Sequence, residues 1–180
     1  MIGKYLIYKH NPPHLFLSNV TYMITASTYL KTKFFDTDDL KKILLSSILQ
    51  YFSKYSWQIK SYVILPNHYH LLAIASENST SLSKIISNTH RYTAHIVNKI
   101  NKTPKMKIWW NYWDTCLTYE NSYYTRLNYI HFNPVKHGYV NDPKKWEFSS
   151  YKEFYDLDCT EARRIENKFP FDRVKVYDDF

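Results

Sequence analysis

The sequence predicts an α+β domain of the ferredoxin-like, split βαβ kind. Such a domain has one antiparallel sheet with two long helices on one face; here a further C-terminal helix carries candidate catalytic residues. Three observations predict it. Between residues 19 and 118 the apolar pattern switches between alternation and helical spacing in the order strand–helix–strand–strand–helix–strand. The two middle strands are separated only by the turn signal Pro66-Asn67, so they form a hairpin. The chain has 180 residues, 44% of them hydrophobic, which suits one domain with a real core.

Each element has its own signal. Residues 1–18 form a lead-in, where Pro12-Pro13 disfavours regular structure. In residues 19–28, Val20, Tyr22, Ile24 and Ala26 alternate as one face of a strand. Asp36 and Asp38 offer caps for a first helix with Leu40, Ile43, Leu44, Ser47, Ile48 and Tyr51 as its apolar stripe. Residues 57–65 are a second strand, with Ile59, Val63 and Leu65 in alternation, and residues 68–75 a third. Ser79-Thr80-Ser81 caps a long second helix with Leu82, Ile85, Ile86, Thr89, Thr93, Ile96, Val97 and Ile100 inward. Lys84, Asn88, Arg91, His95 and Lys99 then face away, as a track for a nucleic-acid backbone or as an ordinary solvated face. Residues 108–118 are an aromatic-rich fourth strand. Asn121 or Ser122 caps a third helix that ends near Phe132, because Pro134 pushes Asn133 out of helical geometry. A domain spanning 19–151 follows, with a mixed-charge tail at 152–180 and a short helix near 149–156.

Composition narrows the partner. Net charge is +8, from 24 Lys+Arg against 16 Asp+Glu, which favours a polyanion over an acidic surface. The 18 Tyr, 10 Phe and 5 Trp fill a core but also stack on unpaired bases. Cys116 and Cys159 make no disulfide framework and no CxxC pair, as expected in a reducing cytoplasm. No apolar run is long enough to span a bilayer, so no membrane partner is expected.

His68 and His70 stand two apart inside an apolar run. On a strand they project to the same face, with two neutral imidazoles aimed at one point: half a metal site, or a hydrogen-bonded pair on a half-buried sheet. Tyr129 and Asn133 are four apart, so a helix stacks them on one face. Two imidazole nitrogens and an amide oxygen, with positions left open, suit Mg²⁺ or Mn²⁺ better than a closed zinc site. Tyr129 is the candidate nucleophile. A free phenol ionises only near pH ~10, and a metal on the target phosphate compensates by making phosphorus more electrophilic.

The motifs Pro66-Asn67-His68-Tyr69-His70, residues 129–138 (YIHFNPVKHG) and Trp146 with Ser149-Ser150 resemble the REP-associated tyrosine transposases, a single-tyrosine HUH-type family. The resemblance covers residues 19–151. Between the histidines stands Tyr69, where the family usually has an aliphatic or other plainly apolar residue. The resemblance implies an endonuclease and strand transferase that cuts and rejoins single-stranded DNA at hairpins through a 5′-phosphotyrosine. It implies Tyr129 as nucleophile and His68, His70 and Asn133 as ligands of Mg²⁺ or Mn²⁺. Lys136 sits beside that site, near the phosphate, and His131 is structural. The expected assembly is a monomer or homodimer. Two other readings stay open: a module that binds hairpin DNA or RNA without cutting it, and a phosphodiesterase in which water attacks and Tyr129 only positions substrate.

Overall fold

The computed structural model describes residues 4–6 and 14–174. Six strands and five α-helices follow in order: β1 (Lys4–Leu6), β2 (His14–Phe16), β3 (Thr21–Thr28), α1 (Asp38–Lys54), β4 (Gln58–Ile64), β5 (His68–Ile74), α2 (Leu82–Ile100), β6 (Trp109–Leu117), α3 (Glu120–Lys136), α4 (Tyr151–Leu157) and α5 (Cys159–Lys168). Strands β3 to β6 form one antiparallel sheet in the order β4-β5-β3-β6, the expected split βαβ topology. Strand β5 is central, which is the stiffest place to mount side chains.

The two faces carry separate cores. Tyr22, Ile24, Ala26, Tyr69, Leu71 and Ala73 meet α1 and α2 through Leu44, Ile48, Ile85 and Val97. Met23, Val63, Leu65 and Leu72 meet Leu127 and Ile130 of α3 on the other face. Burying each such side chain contributes ~1.5–3 kcal/mol, so both faces are strongly specified.

Several sequence expectations shift. The lead-in holds a short antiparallel ladder, β1 on β2, while Pro12-Pro13 lies outside the described residues. Thr37, not Asp36 or Asp38, caps α1 by accepting from the Leu40 amide. Ile59 does not share a face with Val63 and Leu65. An irregularity between Ile59 and Ser61 reverses the alternation and turns Ile59 toward the α1/α2 core. Residues Ser79–Ser81 form a 3₁₀ turn rather than a side-chain cap. The Ser81 hydroxyl instead accepts from Trp57 Nε1 and donates to the Asn78 carbonyl. Ile100 ends α2 at 56% exposure, outside the buried stripe.

The third helix differs most. Tyr119 precedes it without a side-chain cap bond, and the expected caps Asn121 and Ser122 lie inside its first turn. It runs on through Pro134 to Lys136. The proline removes a single amide in the last turn, where helices already fray. The end is closed instead by amides of His137 on the Asn133 carbonyl, Gly138 on Val135 and Tyr139 on Pro134, with Gly138 at φ +71°. Asn133 is therefore helical.

Residues 158–173 of the tail also form regular structure, α5 and a short 3₁₀ turn at Phe171–Arg173. Asp158 caps α5 by accepting from the amides of Thr160 and Glu161. The Asn128 side-chain amide donates to the Ile165 and Phe169 carbonyls, which docks α5 on α3. Among the described residues no helix is long and apolar enough to cross a membrane.

Candidate active site

Strand β5 presents His68 and His70 toward α3, and α3 presents Tyr129 and Asn133 back toward them. The imidazole centroids of His68 and His70 lie 5.0 Å apart, and the His70 ring is 5.2 Å from the Tyr129 ring. His68 Nε2 stands 3.1 Å from Asn133 Oδ1. The four residues whose spacing suggested a shared site are thus brought together, all of them buried.

The hydrogen bonds behind the rings decide which nitrogens face inward. Asn67 Oδ1 lies 2.8 Å from His68 Nδ1, and Thr25 Oγ1 lies 2.8 Å from His70 Nδ1. Both Nδ1 atoms are thus engaged behind the rings, which turns both Nε2 atoms toward the site. His70 Nε2 is buried and has no hydrogen-bond partner. Burial, the neighbouring histidine side chains and Lys136 push the His68 pKa down to about 3 and hold that of His70 well below the usual histidine range. Neutral imidazoles, that of His70 with an unpartnered Nε2, suit a divalent cation. Among the described residues no group of three or more His, Cys, Asp or Glu could hold a metal ion, and the Asn133 amide oxygen stands beside His68 Nε2.

Lys136 lies beside the site, as read from sequence. Its Nζ is 3.5 Å from the Tyr129 hydroxyl and 4.8 Å from the ring centroid. Tyr129 is only 1% exposed beneath it. His131 faces away: its Nε2 lies 3.1 Å from Ser61 Oγ and 3.3 Å from Ser150 Oγ, tying α3 to β4 and the start of α4. Sequence reasoning missed His137, whose ring lies 5.0 Å from that of His68. The signal was present, since Tyr129, Asn133 and His137 continue one helical face at four-residue steps. It also missed Asn67, which looked like turn chemistry alone.

Arg91, Lys84 and Lys99 lie elsewhere, on exposed positions of α2, across the sheet from Tyr129. Arg91 and Lys99 line a groove of about 570 Å³ with His95, Lys102 and Lys105. Lys84 is not part of that groove; its Nζ lies 5.9 Å from the Tyr55 ring.

The chain is similar to known proteins. A Haemophilus influenzae protein assigned as a REP-associated tyrosine transposase is 28% identical over 139 residues, spanning 72% of this chain and 78% of its own. The REP-associated tyrosine transposase of Escherichia coli K12 is 27% identical over 96 residues, spanning 53% of this chain and 54% of its own. A solved structure of a REP-associated tyrosine transposase bound to a REP hairpin superposes with a TM-score of 0.66 at 19% identity. It covers 97% of this chain and 94% of that one, so the fold is shared. The family model for IS200-like transposases matches residues 16–132, a span that includes His68, His70 and Tyr129, and the chain belongs to the IS200-like transposase family.

Proposed function

We propose that this transposase-family protein cuts and rejoins single-stranded DNA beside hairpins, through a covalent link between Tyr129 and a 5′ phosphate. The observation that carries the reading is the convergence of His68 Nε2, His70 Nε2 and Asn133 Oδ1 next to the Tyr129 ring. These three atoms would hold a Mg²⁺ or Mn²⁺ ion, whose chemistry is to polarise the phosphate oxygens as a Lewis acid.

Tyr129 Oη forms a bond to phosphorus as the P–O3′ bond breaks. The phenol proton leaves to solvent and the departing 3′ oxygen takes up a proton. Attack by a 3′-OH on the phosphotyrosine reverses these steps, so the energy of the broken diester is kept for rejoining. Lys136 Nζ, 3.5 Å from the phenol oxygen, offsets the charge that develops there. Asn67 and Thr25 keep the imidazoles oriented.

The net charge of +8 supports a DNA partner, and the solved relative is described as bound to a REP hairpin. Arg91 and Lys99, with Lys102 and Lys105 in the same groove, would follow phosphates of duplex stem, with Lys84 as an outlying contact. The direct test is capture of a labelled hairpin oligonucleotide as a covalent adduct that Tyr129→Phe abolishes.

A further inference from the structure

The start of β6 carries an aromatic platform that the chemistry above does not use. Trp109 turns into the core, whereas the next residue, Trp110, is 55% exposed. Its ring is nonetheless held. Tyr29 lies 5.6 Å away, tilted by 38°, and Lys107 Nζ sits 4.2 Å from the Trp110 centroid and 4.8 Å from that of Tyr29. The Tyr29 amide donates to the Ile108 carbonyl at 2.7 Å, which locks the two segments together. Leu30 and Lys31, just after Tyr29, have φ of 54° and 56°. Two consecutive left-handed non-glycine residues are costly, and such strain persists only where the surroundings hold it.

What holds this loop is a residue of the candidate active site. Asn67 donates from Nδ2 to the Lys31 carbonyl at 3.2 Å, and its own carbonyl accepts from the Thr28 amide at 2.9 Å. Its Oδ1 is the partner of His68 Nδ1. The platform and the histidines are therefore two ends of one hydrogen-bonded unit. They also share an end of the sheet, since Thr28 pairs with Trp109 in β6 and Ser27 pairs with His68 in β5. Two strand spacings separate β6 from β5, roughly 10 Å. Neighbouring nucleotides of one strand bridge that span. The β3/β6 ladder slips between Ala26 and Thr28, so Trp109 and Tyr112 both pack on the α1/α2 side and Trp110 stands at the irregularity between them, at the end of the sheet that also holds His68.

We propose that Trp110, propped by Tyr29 and Lys107, stacks an unpaired base of the DNA strand that leads into the active site, with Lys107 beside that strand's backbone. The occupant follows from chemistry. A pre-ordered indole face next to a lysine, following the basic loop Lys102-Thr103-Pro104-Lys105-Met106-Lys107, fits a base attached to a phosphate. The inference rests on single-stranded DNA being the substrate.

The test uses two labelled probes, a blunt hairpin and the same hairpin with a single-stranded extension, with bases of the extension removed one at a time. Trp110→Ala should weaken binding of the extended hairpin by roughly 5- to 100-fold and leave the blunt hairpin unchanged, while Trp110→Phe keeps most of the affinity. One abasic position should weaken the wild-type protein and have no further effect in Trp110→Ala. Unchanged melting temperature and Mn²⁺ affinity in the variants separate this result from misfolding. If wild type forms the Tyr129 adduct but Trp110→Ala binds both probes as wild type does, or loses both equally, the stacking site is overturned and the proposed function stands. If wild type binds the two probes alike and forms no adduct, both fall.

Discussion

His68 Nε2 faces Asn133 Oδ1 across 3.1 Å, joining the central strand to the last turns of α3. Where His68 Nδ1 carries the ring proton toward Asn67, His68 Nε2 and Asn133 Oδ1 both offer lone pairs, and the proposed cation would bind to the two of them. The orphaned Nε2 of His70 would be the third donor of the proposed site.

The first prediction concerns that cation. Titration calorimetry with Mn²⁺ should find one site, which His68→Ala and His70→Ala each remove or weaken strongly. Thr25→Val deletes only the group behind His70 and should lower affinity by about 10- to 100-fold. Wild-type affinity in all three variants would contradict the site.

DNA binding should prefer hairpins with single-stranded flanks over plain duplex, and fall steeply with salt. Replacing Arg91 and Lys99 by Gln should flatten the slope of log affinity against log salt by about one for each lost phosphate contact. An unchanged slope would exclude the α2 groove from the DNA path.

The third prediction is a pH dependence of stability. His90 stacks on Trp109 at 4.1 Å between ring centres, and its Nε2 lies 3.0 Å from the Tyr69 hydroxyl. Burial pushes its pKa down to about 3, below the free value of about 6.5. Between those values the unfolded chain binds a proton that the folded chain refuses. The stabilisation is complete above pH ~6.5 and is lost as pH falls, at about 1.4 kcal/mol per pH unit. Denaturant unfolding of His90→Phe should show a shallower acid loss than wild type. Parallel pH curves would remove His90 from this role.

Asn128 should matter to the tail. Its amide donates to the carbonyls of Ile165 and Phe169; in Asn128→Ala the Ile165 carbonyl keeps the Phe169 amide, while the Phe169 carbonyl loses this donor at ~1–3 kcal/mol. Urea unfolding should shift accordingly. A loss under about 0.5 kcal/mol would mean that α5 is held by its apolar contacts alone.

The sheet and its helices were legible because helical spacing survives in α2, where one stripe is buried, and because Tyr22, Ile24 and Ala26 of β3 still alternate as one face although both faces of that strand are covered. The histidine pair was legible because a period of two needs only two residues. What failed did so where local rules met tertiary demands. Pro134 suggested an early helix end, yet the contact of Asn133 with His68 lies in helical geometry one turn after Tyr129. Ile59 defeated the alternation because a backbone irregularity carries no sequence mark. His90 was invisible as a partner for Tyr69, since nothing local ties residue 69 to residue 90. Tyr69 itself, bulky and polar for an interior position, is accommodated because His90 meets its hydroxyl.

The most direct measurement of the central claim is covalent capture. A labelled hairpin oligonucleotide with a single-stranded flank, incubated with the protein and Mn²⁺, should migrate with the protein under denaturing conditions. The adduct should vanish without the metal and in Tyr129→Phe, which removes a single hydroxyl and should leave DNA affinity nearly unchanged. Tyr69→Phe, Tyr123→Phe and Tyr124→Phe should retain it, because Tyr69 faces the opposite core and the other two lie more than a helical turn before Tyr129. An adduct that persists in Tyr129→Phe, or a wild-type protein that cuts the probe and never becomes attached, would contradict the account.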